Sequence, residues 1–144
     1  MIPPDDALKL FLSTFMGNNF GAAFQMFTKL TQDKCLEHTL NLLKQRNPEA
    51  VEVSGIGIKE VHIMFKTNEQ SLVHTFWKAF YFSSGSQELY QFGHYTVAST
   101  VGNTAIVHAE IVYPNGQKGE VDLTMIKEGS AWKYGYIESG MKIS

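Results

Sequence analysis

Apolar residues recur along this chain first at helical spacing and then, from His94 onward, in strict alternation. That change of period predicts an α+β fold, with N-terminal helices packed on a curved antiparallel sheet. Pro3-Pro4-Asp5-Asp6 opens the first helix, because acidic residues there can cap it and suit the positive end of its dipole. Leu8, Phe11, Leu12 and Phe15 lie on one face, at i, i+3, i+4 and i+7. Gly17-Asn18-Asn19 breaks the pattern, and Phe20, Ala23, Phe24 and Phe27 repeat it in a second short helix that pairs with the first as a hairpin. A third helix starts near Asp33, carries Leu36, Leu40 and Leu43, and stops at Asn47-Pro48, since the residue before proline disfavours the α region. Val51 to Phe65 reads as a strand: Val61, Ile63 and Phe65 alternate, with a bend or bulge near Gly55 and Gly57. Asn68 caps a further helix, in which Val73, Phe76, Trp77 and Phe80 hold helical spacing to about Phe82. Such aromatic density would also suit a strand, but the spacing favours a helix. Ser83-Ser84-Gly85-Ser86 is a turn, and Gln87 to Phe92 forms one more helical turn.

Four strands complete the chain, at 94–101, 104–113, 119–127 and 131–138, joined at Gly102-Asn103, Pro114-Asn115-Gly116 and Glu128-Gly129-Ser130. Connections this short make an antiparallel meander. Splitting each strand by its two-residue period gives an apolar face of Tyr95, Val97, Val107, Ala109, Ile111, Val121, Leu123, Met125, Trp132, Tyr134 and Tyr136. The opposite face mixes His94, Thr96, Ile106, His108, Glu110, Asp122, Thr124, Ile126, Lys133 and Ile137. The first set should meet the helices. The second then faces water or a partner subunit, and its aliphatic members among the charges favour an isologous homodimer built on His94, Ile106, His108, Glu110, Asp122, Thr124, Ile126 and Ile137.

At 144 residues the chain suits one domain spanning residues 1–144, large enough to bury a core without metals or disulfides. Ten Phe, six Tyr and two Trp supply that core or an interface, while charged residues make up only 18%. A formal charge of −2 gives no electrostatic reason to expect a nucleic-acid partner. Cys35 is the only cysteine, which excludes an intrachain disulfide and a cysteine-based zinc site; a buried place in a helix suits it. The acidic start offers no secretory signal and no 18-residue apolar run offers a membrane span, so a cytoplasmic protein is expected.

Candidate chemistry is sparse. His38, His62, His74, His94 and His108 include no pair at the i, i+4 spacing of a helical ligand pair, so no metal and no cofactor is expected. Gly55-Ile56-Gly57 is too short for a phosphate loop and reads as a bulge or turn. The natural acid and base candidates on the sheet, His94, His108, Glu110 and Asp122, fall on the face turned from the helices, where little encloses them. On the apolar face the nameable polar atoms are the hydroxyls of Tyr95, Tyr134 and Tyr136, which are poor bases at neutral pH. Binding is therefore favoured over proton transfer. The stripe Phe76, Trp77, Phe80 and Tyr81 suits either core or pocket wall.

The element order resembles the nuclear transport factor 2-like superfamily, also described as cystatin-like. Its carriers are Asn19-Phe20-Gly21-Ala22-Ala23-Phe24 in the early helices, Asn103-Thr104-Ala105-Ile106-Val107, and Trp132-Lys133 after the Gly129 turn. The resemblance implies a cone-like domain whose sheet wraps a helix around an apolar pocket, often with homodimerisation of sheet on sheet. It covers both enzymes and binding domains, so it does not select a function. Ketosteroid isomerase would require an enclosed Asp base that cannot be placed on the apolar face. Limonene epoxide hydrolase would need an arginine relay, yet Arg46 is the only arginine and ends a helix. Scytalone dehydratase would want paired histidine and acid in the pocket. The expectation is a homodimeric domain without catalytic residues that binds a small apolar ligand, with Phe11, Phe15, Phe24, Phe76, Trp77, Phe80, Tyr95, Trp132, Tyr134 and Tyr136 lining the pocket. One alternative is an isomerase- or dehydratase-like enzyme using His74 or Asp122, and another is a protein interaction module without a ligand.

Overall fold

The computed structural model describes residues 1–68 and 71–143. It is α+β: α1 (Pro4–Met16), α2 (Phe20–Gln25), α3 (Lys29–Arg46), α4 (Pro48–Ser54), α5 (Ile58–Thr67), α6 (Ser71–Ser83) and α7 (Ser86–Phe92) precede a sheet of β1 (Gly93–Val101), β2 (Thr104–Val112), β3 (Lys118–Glu128) and β4 (Ala131–Gly135). The strands lie in the order β1-β2-β3-β4, every pair antiparallel. Helices cover one face, where Val107, Ala109, Leu123, Met125 and Tyr134 are buried; the other carries no helix residue in the core.

The expected strand over 51–65 is corrected to the two helices α4 and α5. Val61 and Phe65 are fully buried while Ile63 between them is 54% exposed, which is helical and not alternating burial. Gly55, with φ of +66°, lets the chain turn out of α4. Gly57 then starts α5, its N–H donating to the Glu60 carboxylate at 2.9 Å. That bond holds the Glu60 carboxyl below the usual carboxylate range. Asn68 closes α5 from the left-handed region at φ 54° and does not open the next helix. Residues 69 and 70, through which that cap would have led, lie outside the described residues.

Helix α3 begins at Lys29, earlier than the expected start near Asp33. Thr28 is its N-cap, the Thr28 Oγ1 accepting from Thr31 N at 3.2 Å. The segment before that cap is tied to the sheet edge. Tyr134 N donates to Met26 O at 2.7 Å and Thr28 N to Tyr134 O at 3.0 Å, so Phe27 forms a parallel bridge to Tyr134. Phe27 is thereby fixed at the centre of the core, in ring contact with Phe11, Phe24, Trp77, Phe80, Tyr134 and Tyr136.

The last strand stops at Gly135 instead of 138. Ser139 N donates back to Gly135 O at 2.8 Å, and the Ser139 hydroxyl accepts from Thr124 N at 2.8 Å where a strand carbonyl would otherwise stand. This turn carries Glu138 to the start of α3, where its Oε1 accepts from the hydroxyls of Thr28 (2.9 Å) and Thr31 (3.0 Å). Glu128 accepts from Lys29 N at 3.1 Å beside it. Two carboxylates thus sit at the positive end of the longest helix described. Cys35 is fully buried in that helix, and burial pushes its thiol pKa up, away from reactivity.

Candidate functional site

Two surfaces hold the residues that sequence reasoning selected. The first is the helix-free face of the sheet, whose rows are set by the register. His94, Glu110 and Glu120 form one row, and Thr96, His108 and Asp122 the next. Ile106 pairs with Thr124, and Thr104 with both Val101 and Ile126. Between Val97 and Ser99 the register shifts, a bulge that puts Val101 on this face, 79% exposed. Nothing in the local sequence marks that bulge. The face is divided accordingly: ionisable side chains gather at one end, and Val101, Thr104, Ile106, Thr124 and Ile126 make an uncharged patch beside them.

Apart from His108 and Asp122 at the charged end, two charges border the patch, and both are engaged on the helix side. Lys133, which pairs with Ile126, donates its ammonium to Gln25 O at 2.8 Å, and the Glu128 carboxylate caps α3. Ile137 does not join this face. It lies beyond β4, its N–H donates to Thr31 Oγ1 at 3.1 Å, and it packs partly buried against the core.

At the charged end, His108 Nδ1 lies 2.8 Å from Asp122 Oδ1 and its Nε2 lies 3.8 Å from Glu120. The bond to Asp122 raises the His108 pKa above the ordinary imidazole value. A folded-state pKa above the unfolded one stabilises at pH below the ordinary value, and that contribution is lost as pH rises through the folded value. In a proton NMR titration, the His108 midpoint is expected to fall when Asp122 is changed to Asn. An unmoved midpoint would remove Asp122 as the cause.

Behind the sheet, most of the expected pocket residues fill the core themselves. Phe11 lies with its ring centroid 5.0 Å from those of Phe27 and Tyr134, Phe24 lies 4.7 Å from Phe65, and Phe80 lies 4.9 Å from Tyr136. Phe76 packs 5.1 Å from both Phe65 and Trp77. Two of the three tyrosine hydroxyls on this face are committed locally. Tyr95 donates to Leu89 O, with burial pushing its pKa up to about 12, and Tyr136 donates to Lys142 O at 3.4 Å. Trp132 sits partly buried at the chain's start, lining a hollow with Ile2, Ala7 and Met26.

The second surface is a cleft of about 320 Å³ between the end of α1 and the outer side of α6. Phe15 and Trp77, both buried, form its floor; Met16, Phe20 and Tyr81 form its walls; His74, Lys78 and the 75% exposed Phe82 form its rim. His74, Lys78 and Tyr81 stand at i, i+4 and i+7 on α6, so one helix face supplies that side. Of the expected pocket residues, Phe15 and Trp77 are found here. Met16, Phe20 and Lys78 come together through helix packing, which the linear pattern does not encode. His74 Nε2–H donates to Asn68 O at 2.6 Å. His74 and Asp122, the residues of the enzyme alternative, therefore stand on separate surfaces. Among the described residues, no group of three or more His, Cys, Asp or Glu is placed to hold a metal, and no helix is long and apolar enough to cross a membrane.

Fold and surfaces together define an α+β domain with one helix-covered and one open sheet face, an arrangement compatible with the nuclear transport factor 2-like fold. Compared with protein families, curated proteins and solved structures, the chain matches no family model, no curated protein and no solved structure.

Proposed function

We propose that this chain is a non-catalytic member of the nuclear transport factor 2-like superfamily that acts as a homodimer, paired through the open face of its sheet. The observation that carries the reading is the uncharged patch of Val101, Thr104, Ile106, Thr124 and Ile126, whose bordering charges Lys133 and Glu128 are bonded on the helix side. Setting patch on patch about a twofold axis buries aliphatic groups without stranding a charge. The carboxylates of Glu110, Glu120 and Asp122 then stay at a solvated rim, where like charges are screened. Each protomer keeps its helix-side cleft open to a small ligand. No acid and base pair lies in one enclosed place among the described residues, which supports binding over proton-transfer chemistry.

A soluble gadolinium chelate tests the interface directly. The Ile106 and Ile126 methyl signals are expected to be shielded in the native protein and to broaden strongly in Thr124→Asp, which plants a carboxylate in the patch. Equal broadening in the two proteins would sink the sheet-to-sheet pairing.

A further inference from the structure

The cleft between α1 and α6 carries a chemical signature beyond its apolar walls. Its lining includes the ammonium of Lys78 and no carboxylate, in a chain with more acidic than basic residues. Among the described residues Lys78, like Lys44, Lys59, Lys66, Lys127, Lys133 and Lys142, has no ion-pair partner within 4.0 Å, so its ammonium is open to a ligand's charge. The floor is formed by a buried ring. Trp77 is 1% exposed and its Nε1 has no hydrogen-bond partner, although a buried indole N–H ordinarily finds one. The indole plane is fixed between Phe20 and Phe27, stacked at 5.4 Å and 6.0 Å. Above it, the 75% exposed Phe82 leaves a large apolar ring in water at the rim. One cation and apolar walls in a volume at the small end of ligand sites describe a receptor for an amphiphilic anion.

We propose that this cleft binds a small aryl- or alkyl-carboxylate, its apolar body against Phe15, Phe20 and Phe82 and its carboxylate paired with Lys78, above the buried ring of Trp77. Of the simple anions, a carboxylate suits a single ammonium that acts as a point charge; a phosphate would call for more donors than the lining offers. The site lies on the helix side, so it does not depend on pairing through the sheet.

The test uses 4-phenylbutyrate and its neutral amide as probes, read by the Trp77 indole N–H signal, which is the one remaining in Trp132→Phe. The acid is expected to shift that signal saturably and to bind about tenfold more tightly than the amide, the increment of one charge-assisted contact. In Lys78→Gln, at an exposed position, the acid should bind no better than the amide. Absence of a saturable shift with either probe, or an acid preference that survives Lys78→Gln, would overturn the assignment. Sedimentation of the same samples reports the oligomer separately, so a failed site and a failed dimer give different results.

Discussion

Phe27→Ala is expected to cost about 3–5 kcal/mol of folding stability, a large part of the roughly 5–15 kcal/mol that holds a domain of this kind together. Phe27 is fully buried and touches six other rings, drawn from α1, α2, α6, β4 and the residue just after β4. Its truncation leaves a cavity that none of them can fill alone, because Trp77 is already stacked on Phe20 and Tyr134 is tied by its backbone to Met26 and Thr28. Chemical denaturation should show the loss, with a much smaller one for Phe27→Leu. Equal losses in the two variants would mean that the cavity is not the main cost, because leucine restores most of the lost volume without the ring.

Glu138→Ala should be the next most costly change, at about 2–4 kcal/mol. The Glu138 carboxylate accepts from two hydroxyls, those of Thr28 and Thr31, both fully buried at the first turn of α3. Removing it strands one donor, since the Thr28 and Thr31 hydroxyls lie 3.0 Å apart and one can donate to the other, and it withdraws a negative charge from the positive end of the helix. Glu138→Gln retains an acceptor oxygen and should lose less than half as much. Thermal unfolding of the two variants measures the difference; similar melting temperatures would show that the carboxylate is not what holds the C-terminal turn to α3.

Sequence pattern makes some elements legible and hides others for identifiable reasons. The stripes of α1 and α6 are aromatic and one-sided, and the turns at Gly102, Gly116 and Gly129 adopt positive φ, so the helices and the meander can be read directly. Helix α5 buries only Val61 and Phe65, and the exposed Ile63 between them imitates alternation. The first turn of α3 presents Thr31 to the core, a residue without an apolar signal. Tyr136 extends the apolar alternation past the end of β4, because it remains buried after the strand has ended. The two-residue split into faces matches the structure through β2 and β3, where the ladder is regular, stops short of the bulge in β1, and fails beyond Gly135. The cleft is out of reach of any linear pattern, since it depends on how α1, α2 and α6 meet.

Much of what distinguishes the open sheet face is set by side chains that leave it. Had Lys133 and Glu128 kept their charges over Ile126, burying the patch would have carried a desolvation cost of several kcal/mol. Their hydrogen bonds to Gln25 O and Lys29 N avoid that cost and also tie the sheet to the helices, so fold and interface share the same contacts. Sedimentation equilibrium on the native chain and on Ile126→Asp tests the pairing most directly. The expected result is twice the chain mass for the native protein and the single chain mass for the variant, with the same far-ultraviolet circular dichroism. A native protein at single mass across the micromolar range, or a variant that still sediments at twice it, would contradict a dimer built on this face.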